Sequence, residues 1–440
     1  MQQMADALAK PGLQRAAANF GWLMLERALR FALGAIVGFV VARYLGPVRL
    51  GTFSYCLALV TLLGFVPALG LDAIVKRELI KAPHATAELI ASALALRAAG
   101  GVLGFMAVWL ATGWGAGFTA EEAQVFRILG LLLFQPALFL PDLWLQAHLR
   151  AKQAVAVQLV ALACASGLRV WLVMSGAEIA AFAWVLVVEM ILGAVGLWVL
   201  ARRGGLPGSF LGARRARMQG LLAEAWPLMF AGLAILVYMK IDEVMLRQMT
   251  GPADVGVYAA AARLSEVWYF LPSALAASVL PGLLQARASG AGEYARRQQQ
   301  YYDLSAAAAY ALSVPVALCA PWIVRLAYGE AFVASGPILA VHIWSSIFVF
   351  LGVARGQWLV NEGLQRFYLV ATLIGALANV LLNLAFIPRW GGLGAAYATV
   401  ISYGLAAWAA SYLHPRVRVT AAMQTRALLI PLRGWRYLRR

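Results

Sequence analysis

The sequence has few charged residues and few cysteines. Only 12% of its 440 residues are charged, whereas soluble domains carry about 25%. Cys56, Cys164 and Cys319 lie far apart inside apolar runs, without the spacing of a disulfide framework or a metal site. A water-soluble enzyme is therefore excluded, and we expect neither a metal ion nor a cofactor.

Hydrophobic residues make up 63% of the chain and occur in long unbroken runs. A transmembrane helix needs about 20 apolar residues, whereas the strands of a membrane barrel alternate apolar and polar residues. The sequence therefore predicts an all-α polytopic membrane protein with about twelve transmembrane helices. The spans are expected near 20–43, 50–71, 88–111, 124–147, 154–174, 179–201, 220–246, 255–284, 303–325, 333–360, 366–387 and 391–413.

Lysine and arginine are distributed unevenly between the loops. With a cytoplasmic N-terminus, the inner segments hold 23 of the 36 Lys and Arg, and the outer loops hold 5. Because positive residues favour the cytoplasmic side, both termini are predicted to lie there. Most of the net charge of +17 then comes from loop and tail residues that set the orientation in the membrane, and it does not indicate nucleic-acid binding. The basic tail is expected to lie on the anionic inner leaflet.

A Gly-Pro-x-x-x-Gly motif occurs twice, at 46–51 and at 251–256, and a weaker match pairs Gly176 with Gly391. The pattern predicts two six-helix lobes related by a parallel pseudo-repeat, an arrangement found in many transporters. The predicted divisions are an N-terminal lobe at 1–201, a basic cytoplasmic linker at 202–219, a C-terminal lobe at 220–413 and a basic tail at 414–440.

Several cations lie within the predicted spans. A charge at the bilayer centre costs about 2.5–3.5 kcal/mol, so each should face a cavity or a partner. Because the arginine fork suits a diphosphate, we expect a water-filled central cavity with net positive walls. The expected lining residues are Arg27, Arg30, Arg97, Lys240 and Arg263. Structural ion pairs and snorkelling side chains remain the alternative.

Carboxylates in the spans are candidates for ion coupling or gating. The candidates are Asp242, Glu243, Glu266 and Glu189. Lys240 and Glu243 are spaced i,i+3 and can pair on one helix face. Asp242 is left over and points elsewhere, which suits a site for H⁺ or Na⁺. Asn379 and Asn383 are expected to form hydrogen bonds between helices.

An ordered set of segments resembles the polysaccharide-biosynthesis flippases. They are Val41–Pro47, Gly51–Ser54, Leu69–Asp72, Arg77–Leu79, Trp226–Leu228, Tyr238–Leu246, Gly256–Ala261, Ser265–Tyr269 and Asn379–Asn383, with Ile387-Pro388 and Gly394–Ala396 after them. These flippases belong to the multidrug/oligosaccharidyl-lipid/polysaccharide exporter superfamily. No single segment is diagnostic, but together they cover nearly the whole chain.

The resemblance implies a transporter without enzymatic activity in the bacterial cytoplasmic membrane. Its substrate would be an undecaprenyl-diphosphate-linked oligosaccharide of O-antigen or exopolysaccharide type, moved from the inner to the outer leaflet. H⁺ or Na⁺ would be the coupling ion, and other glycan-assembly membrane proteins would be partners. A cation-coupled drug antiporter of the same superfamily is the alternative, while a glycan polymerase would need a large outer loop that is absent.

Replacing Arg30, Arg97 or Lys240 with Ala is expected to reduce glycan display at the cell surface, because each change removes a cation from the predicted cavity. The measurement is display per molecule of membrane protein. Full display by all three variants at normal protein level would contradict the cationic cavity.

Overall fold

The computed structural model describes residues 11–113, 117–207 and 212–433, and side chains from Leu33 onward except at position 231. Within these ranges the regular structure is entirely helical. The first helices are α1 (Pro11–Leu63), α2 (Phe65–Ala68), α3 (Asp72–Lys81), α4 (Thr86–Gly113), α5 (Ala120–Gly130), α6 (Gln135–Leu138), α7 (Leu140–Ala147), α8 (Ala151–Met174) and α9 (Ile179–Arg203). They are followed by α10 (Arg215–Met249), α11 (Pro252–Glu266), α12 (Phe270–Ser289), α13 (Ala291–Tyr328), α14 (Ser335–His342), α15 (Ser345–Asn361), α16 (Gln365–Ala407), α17 (Arg418–Leu428) and α18 (Ile430–Arg433).

In the described part of the chain, ten helical stretches are long and apolar enough to cross a membrane. Leu33–Lys81 and Gln365–Leu413 each have 49 residues, which is about 70 Å of helix and more than twice the bilayer core. Each stretch is broken at a glycine with positive φ, Gly46 at 69° and Gly391 at 52°. Each therefore supplies two crossings, and the expected all-α membrane protein with about twelve spans is confirmed.

Proline divides the fourth expected span, 124–147, into shorter pieces. α5 is followed by a 3₁₀ turn, α6 and α7. Pro136 and Pro141 each lie at the start of one of the short helices. A proline has no N–H for the preceding turn, so it ends one helix and is tolerated in the first turn of the next.

The described residues form two compact units. The first contains the residues up to Tyr44 together with Cys56–Leu233, and the second contains Leu45–Tyr55 together with the residues from Ala234 on. The first half of α10 thus packs with the first unit, although the predicted C-terminal lobe starts at 220. The predicted linker at 202–219 is partly helical because α10 begins at Arg215.

Each unit has its own apolar core. The first core includes Leu71, Leu140 and Leu197, and the second includes Tyr302 and Phe350. Large apolar side chains are also exposed in both units, including Trp171, Met174, Leu318 and Trp322. Extensive exposed apolar surface marks a membrane-facing or interaction surface. Together with the spans, it identifies a multi-pass membrane protein.

The C-terminal tail contains a helix, α17, that packs against other helices of the second unit. Gln424 is buried and its Nε2 donates to the carbonyl oxygen of Ala407 at 3.0 Å. The Trp408 Nε1 donates to Thr425 Oγ1 at 2.9 Å. Arg418 and Arg426 are exposed, so their contact with anionic lipid stays a prediction. The last residues of the predicted tail, 434–440, lie outside the described residues.

The two Gly-Pro motifs share one backbone geometry. Gly46 has φ 69° and ψ 175°, and Gly251 has φ 106° with ψ 177°. Within the second unit the motifs lie directly against each other. A Cβ on Gly51 would overlap the carbonyl oxygen of Pro252, and a Cβ on Gly256 would overlap that of Pro47. The repeat is therefore structural, and its final glycines permit a close backbone approach.

Gly51→Ala and Gly256→Ala are expected to lower the thermal unfolding midpoint of the purified protein, because overpacking costs about 1–3 kcal/mol. Gly38→Ala is the control, since Gly38 is helical and nothing lies within 4 Å of its added Cβ. That variant should be neutral or slightly stabilised. Equal midpoints for all three variants would contradict the close approach.

Candidate functional site

In the first unit, the predicted site residues with described side chains are Arg97 and Glu189. Arg27 and Arg30 lie on α1 but outside the described side chains. Their predicted place in a cationic cavity stays a prediction.

Arg97 is buried on α4 with only 2% of its surface exposed. Its Nη2 donates to Asp72 Oδ1 at 2.5 Å, and its Nη1 donates to the carbonyl oxygen of Pro136 at 2.9 Å. Asp72 lies in the first turn of α3, where the helix dipole favours a carboxylate. In this conformation the guanidinium faces these two partners rather than open space. A contact between Arg97 and substrate remains a prediction.

Glu189 forms an ion pair that crosses from α9 to α8. Its Oε2 accepts a hydrogen bond from Arg169 Nη2 at 2.8 Å. Glu189 also lines a cavity of about 430 Å³, together with Gln135 and Gln158. Arg169 balances the charge of Glu189, and Gln135 and Gln158 supply two polar amides to the cavity wall. A role of Glu189 in ion coupling stays a prediction.

In the second unit, Lys240 lies between two carboxylates. Its Nζ is 3.0 Å from Glu243 Oε1 on α10 and 3.7 Å from Glu266 Oε2 on α11. The i,i+3 pairing of Lys240 with Glu243 is as expected. Glu266 is also three residues after Arg263, a spacing that would allow a pair, but Arg263 Nη2 donates to Ser54 Oγ at 3.0 Å. Lys240 is therefore shared between two acids, which offsets its attraction for an anionic substrate.

Asp242 points away from this ion-paired cluster, since two residues along a helix correspond to about 200° of rotation. It is 2% exposed. Its carboxylate accepts three hydrogen bonds from neutral groups on two other helices. The donors are Tyr258 Oη at 2.6 Å on α11, and Asn383 Nδ2 at 2.5 Å and Thr399 Oγ1 at 2.7 Å on α16.

The polar network around Asp242 extends along α16. Asn383 Nδ2 also lies 3.2 Å from Asn379 Oδ1, and Asn379 Nδ2 donates to Ser402 Oγ at 3.4 Å. The Oδ1 of Asn383 is buried without a hydrogen-bond partner among the described residues. Carboxylate, amide and hydroxyl oxygens are hard ligands that suit a proton or a small hard cation. The Asp242 site therefore has the chemistry of an ion site inside the membrane.

Sequence spacing found part of the Asp242 site. The expected interhelical role of Asn379 and Asn383 is confirmed, because their i,i+4 spacing places both amides on one face of α16. Tyr258 and Thr399 were missed. Tyr258 follows the second Gly-Pro motif and Thr399 follows the break at Gly391, and neither stands out as polar in its own helix. Only the packing of α10, α11 and α16 brings them together.

Asp72→Asn is expected to lower the thermal unfolding midpoint, because it leaves the buried Arg97 charge without a counter-charge. The Asp72 side chain is 69% exposed, so the cost is expected to be smaller than the roughly 3–5 kcal/mol of a fully buried pair. Adding Arg97→Met should recover part of the loss, so that the double variant is less affected than the sum of the single ones.

The matched control is Arg325→Gln, which breaks the exposed pair of Arg325 with Glu330. An exposed pair contributes about 0–1 kcal/mol, so little change is expected. Additive losses at Asp72 and Arg97 would contradict their coupling.

Comparison with known proteins reveals one curated relative and several similar structures. The probable flippase AglR of Haloferax volcanii is 29% identical over 180 residues, covering 38% of this chain and 36% of the relative. The match thus spans about a third of the relative's length.

The fold is similar to solved transporters. An inward-facing multidrug resistance MATE family transporter of the MOP superfamily aligns with a TM-score of 0.69 and 15% identity, covering 90% of this chain and 96% of that one. The lipid II flippase MurJ, in an inward closed conformation, aligns with a TM-score of 0.65 and 12% identity, covering 95% of this chain and 91% of that one. At these identities the likeness shows the fold alone, and it confirms the expected two-lobed transporter fold.

Two family models match the sequence. One, described as MatE, matches residues 227–385, which include Asp242, Tyr258 and Asn383. The other, described as polysaccharide biosynthesis protein, matches residues 16–287, more than half of the chain. The chain belongs to the polysaccharide biosynthesis protein family.

Proposed function

We propose that this protein is a flippase that moves an undecaprenyl-diphosphate-linked oligosaccharide from the inner to the outer leaflet of the bacterial cytoplasmic membrane. The family match over residues 16–287 carries the proposal. The proposed mechanism is alternating access without covalent chemistry, in which the lipid tail stays in the bilayer and the headgroup enters a polar cavity. Both termini are proposed to be cytoplasmic, with the tail near anionic lipids and other glycan-assembly proteins as neighbours.

The headgroup is anionic, so we assign its binding to the cations within the spans. Arg27, Arg30 and Arg97 are the proposed contacts in the first unit, with Lys240 and Arg263 in the second. Lys240 already shares its charge with Glu243 and Glu266. An entering diphosphate would have to compete with these carboxylates for Lys240. Such competition weakens binding of the diphosphate at Lys240, so that the headgroup can leave the site as well as enter it.

We propose Asp242 as the coupling site, with H⁺ or Na⁺ as the ion. Three neutral donors hold its carboxylate in a buried position, and a bound proton or cation would neutralise the remaining charge. The ionisable groups nearby are Lys240 and Glu243 on the same helix, Glu266 on α11 and His342 at the end of α14. Binding an ion at Asp242 changes the net charge of the unit without removing any ion pair.

The membrane potential contributes in the direction of export. One negative charge that moves outward through 100 mV of inside-negative potential gains about 2.3 kcal/mol. An anionic headgroup is therefore driven outward unless coupled cations cancel its charge. Ion gradients and potential must consequently be set independently in any assay.

Flipping of a defined undecaprenyl-diphosphate-linked sugar by the purified protein in vesicles tests the proposal, with proton, sodium and potential gradients imposed one at a time. We expect one ion gradient to accelerate flipping, and Asp242→Asn to reduce that acceleration about tenfold or more. Glu330→Gln is the control, because that carboxylate is 76% exposed. Unchanged gradient dependence in Asp242→Asn, at normal protein level, would contradict the coupling role, and flipping equal to that of protein-free vesicles would contradict the flippase.

The second candidate function is a cation-coupled drug antiporter of the same superfamily. The MatE match at 227–385 and the three carboxylates near Lys240, which are Asp242, Glu243 and Glu266, favour it. The same vesicles distinguish the two functions, since an antiporter would exchange an organic cation for protons or Na⁺ and would not move the lipid-linked sugar.

A further inference from the structure

The second unit contains a cavity of about 410 Å³, and its described lining residues do not include Asp242 or the residues bonded to it. Its walls come from α10, α15 and α16, with Tyr269 from the 3₁₀ turn after α11. Its volume is within the range of about 300–1,000 Å³ that is typical of small-molecule sites. Four tyrosines and one arginine stand among the residues that line it: Tyr238, Tyr269, Tyr368, Tyr403 and Arg355.

Among the described residues that line the cavity, Arg355 is the only charged one. It is 3% exposed. Its Nη1 donates to Ser411 Oγ at 2.9 Å, and its guanidinium carbon lies 5.9 Å from the centre of the Phe367 ring. Its Nε has no hydrogen-bond partner, and no carboxylate pairs with it among the residues that the structure describes.

Among the described residues, Arg97 is the other fully buried cation, and it pairs with Asp72. The partly buried Arg169 and Lys240 also contact a carboxylate, whereas Arg263 contacts Ser54. A buried charge without a counter-charge is unfavourable, and an anion in the cavity would supply one. Guanidinium binds carboxylate and phosphate through two parallel N–H donors, so an oxyanion is the kind of anion that would suit Arg355.

The tyrosines suit a sugar ring next to that oxyanion. Tyr238 and Tyr403 stack at 4.0 Å with 14° between their planes, which gives a rigid aromatic wall. The Tyr269 hydroxyl is fixed 2.8 Å from Ser345 Oγ. Tyr368 is 38% exposed, so the cavity has an accessible edge. The C–H face of a sugar ring packs on the negative face of an aromatic ring.

We propose that this cavity binds a sugar unit that carries an oxyanion, either a carboxylate or a phosphate. Arg355 pairs with the oxyanion, and the tyrosines contact the ring. The proposal rests on the proposed flippase function for its link to transport, and it adds that the headgroup carries a negative sugar or sugar phosphate that binds inside the second unit. Equilibrium binding tests it without any transport step, so its failure and that of the flippase are distinguishable.

The test measures equilibrium binding of three soluble probes to the full-length purified protein in neutral detergent, by calorimetry or ligand-observed NMR. The probes are glucose 1-phosphate, glucuronate and glucose, with inorganic phosphate as a fourth arm. We expect saturable binding of at least one of the two charged sugars, about tenfold tighter than that of glucose and of inorganic phosphate. The preferred charged sugar identifies the oxyanion as phosphate or carboxylate.

Two variants place the binding in this cavity. Arg355→Gln should weaken the charged sugar about tenfold or more and leave glucose unchanged. Gly356→Leu should abolish binding by filling the cavity, because a Cβ there meets Tyr368 only at an ordinary 3.6 Å, and it leaves every charge in place. Arg389→Gln is the control, since Arg389 Nη1 bonds only within its own helix, to Ala385 O at 3.2 Å.

Gly356→Leu keeps the test decisive if Arg355→Gln fails to fold through loss of its contact with Ser411. Charged sugars that bind no better than glucose or phosphate would overturn the proposal. Wild-type affinity in Gly356→Leu would overturn it as well, because the binding would then lie elsewhere.

Discussion

The structure depends on one constraint, that an ionised side chain inside the membrane must be compensated from within the protein. The charge of Arg97 is compensated by Asp72, and that of Lys240 by two carboxylates. Asp242 is compensated only by neutral donors, and Arg355 by a single hydroxyl. The groups therefore form a series from full to minimal compensation. Positions at the weak end of that series are the ones where an ion or a ligand adds most stability.

The sequence predicted what depends on local pattern. Hydropathy located the spans, and glycine located the breaks at Gly46 and Gly391, because only the backbone around each residue decides these features. The i,i+3 pair of Lys240 and Glu243 was found for the same reason. Asp72 lies 25 residues before Arg97 and Thr399 lies 157 residues after Asp242, so these contacts exist only after helices pack. No spacing rule within one helix could have identified them.

Helix α10 connects the two kinds of electrostatic site in the second unit. Lys240 and Asp242 are two residues apart on it and face different neighbours, α11 for the ion-paired cluster and α16 for the buried network. A rotation of α10 about its axis would change both environments together. Pro227 lies within the same helix and removes one backbone hydrogen bond there. A movement of α10 could therefore link ion binding at Asp242 to the ion pairs of Lys240.

The reciprocal contact of the two Gly-Pro motifs also restricts how the halves of the chain can diverge. A side chain larger than hydrogen at Gly51 is blocked by the backbone of the second copy, and Gly256 is blocked by the backbone of the first. A change within one copy cannot make room for a larger residue at its own final glycine, because the blocking backbone atoms belong to the other copy. After a duplication of the half, these two positions would have to evolve as a single unit.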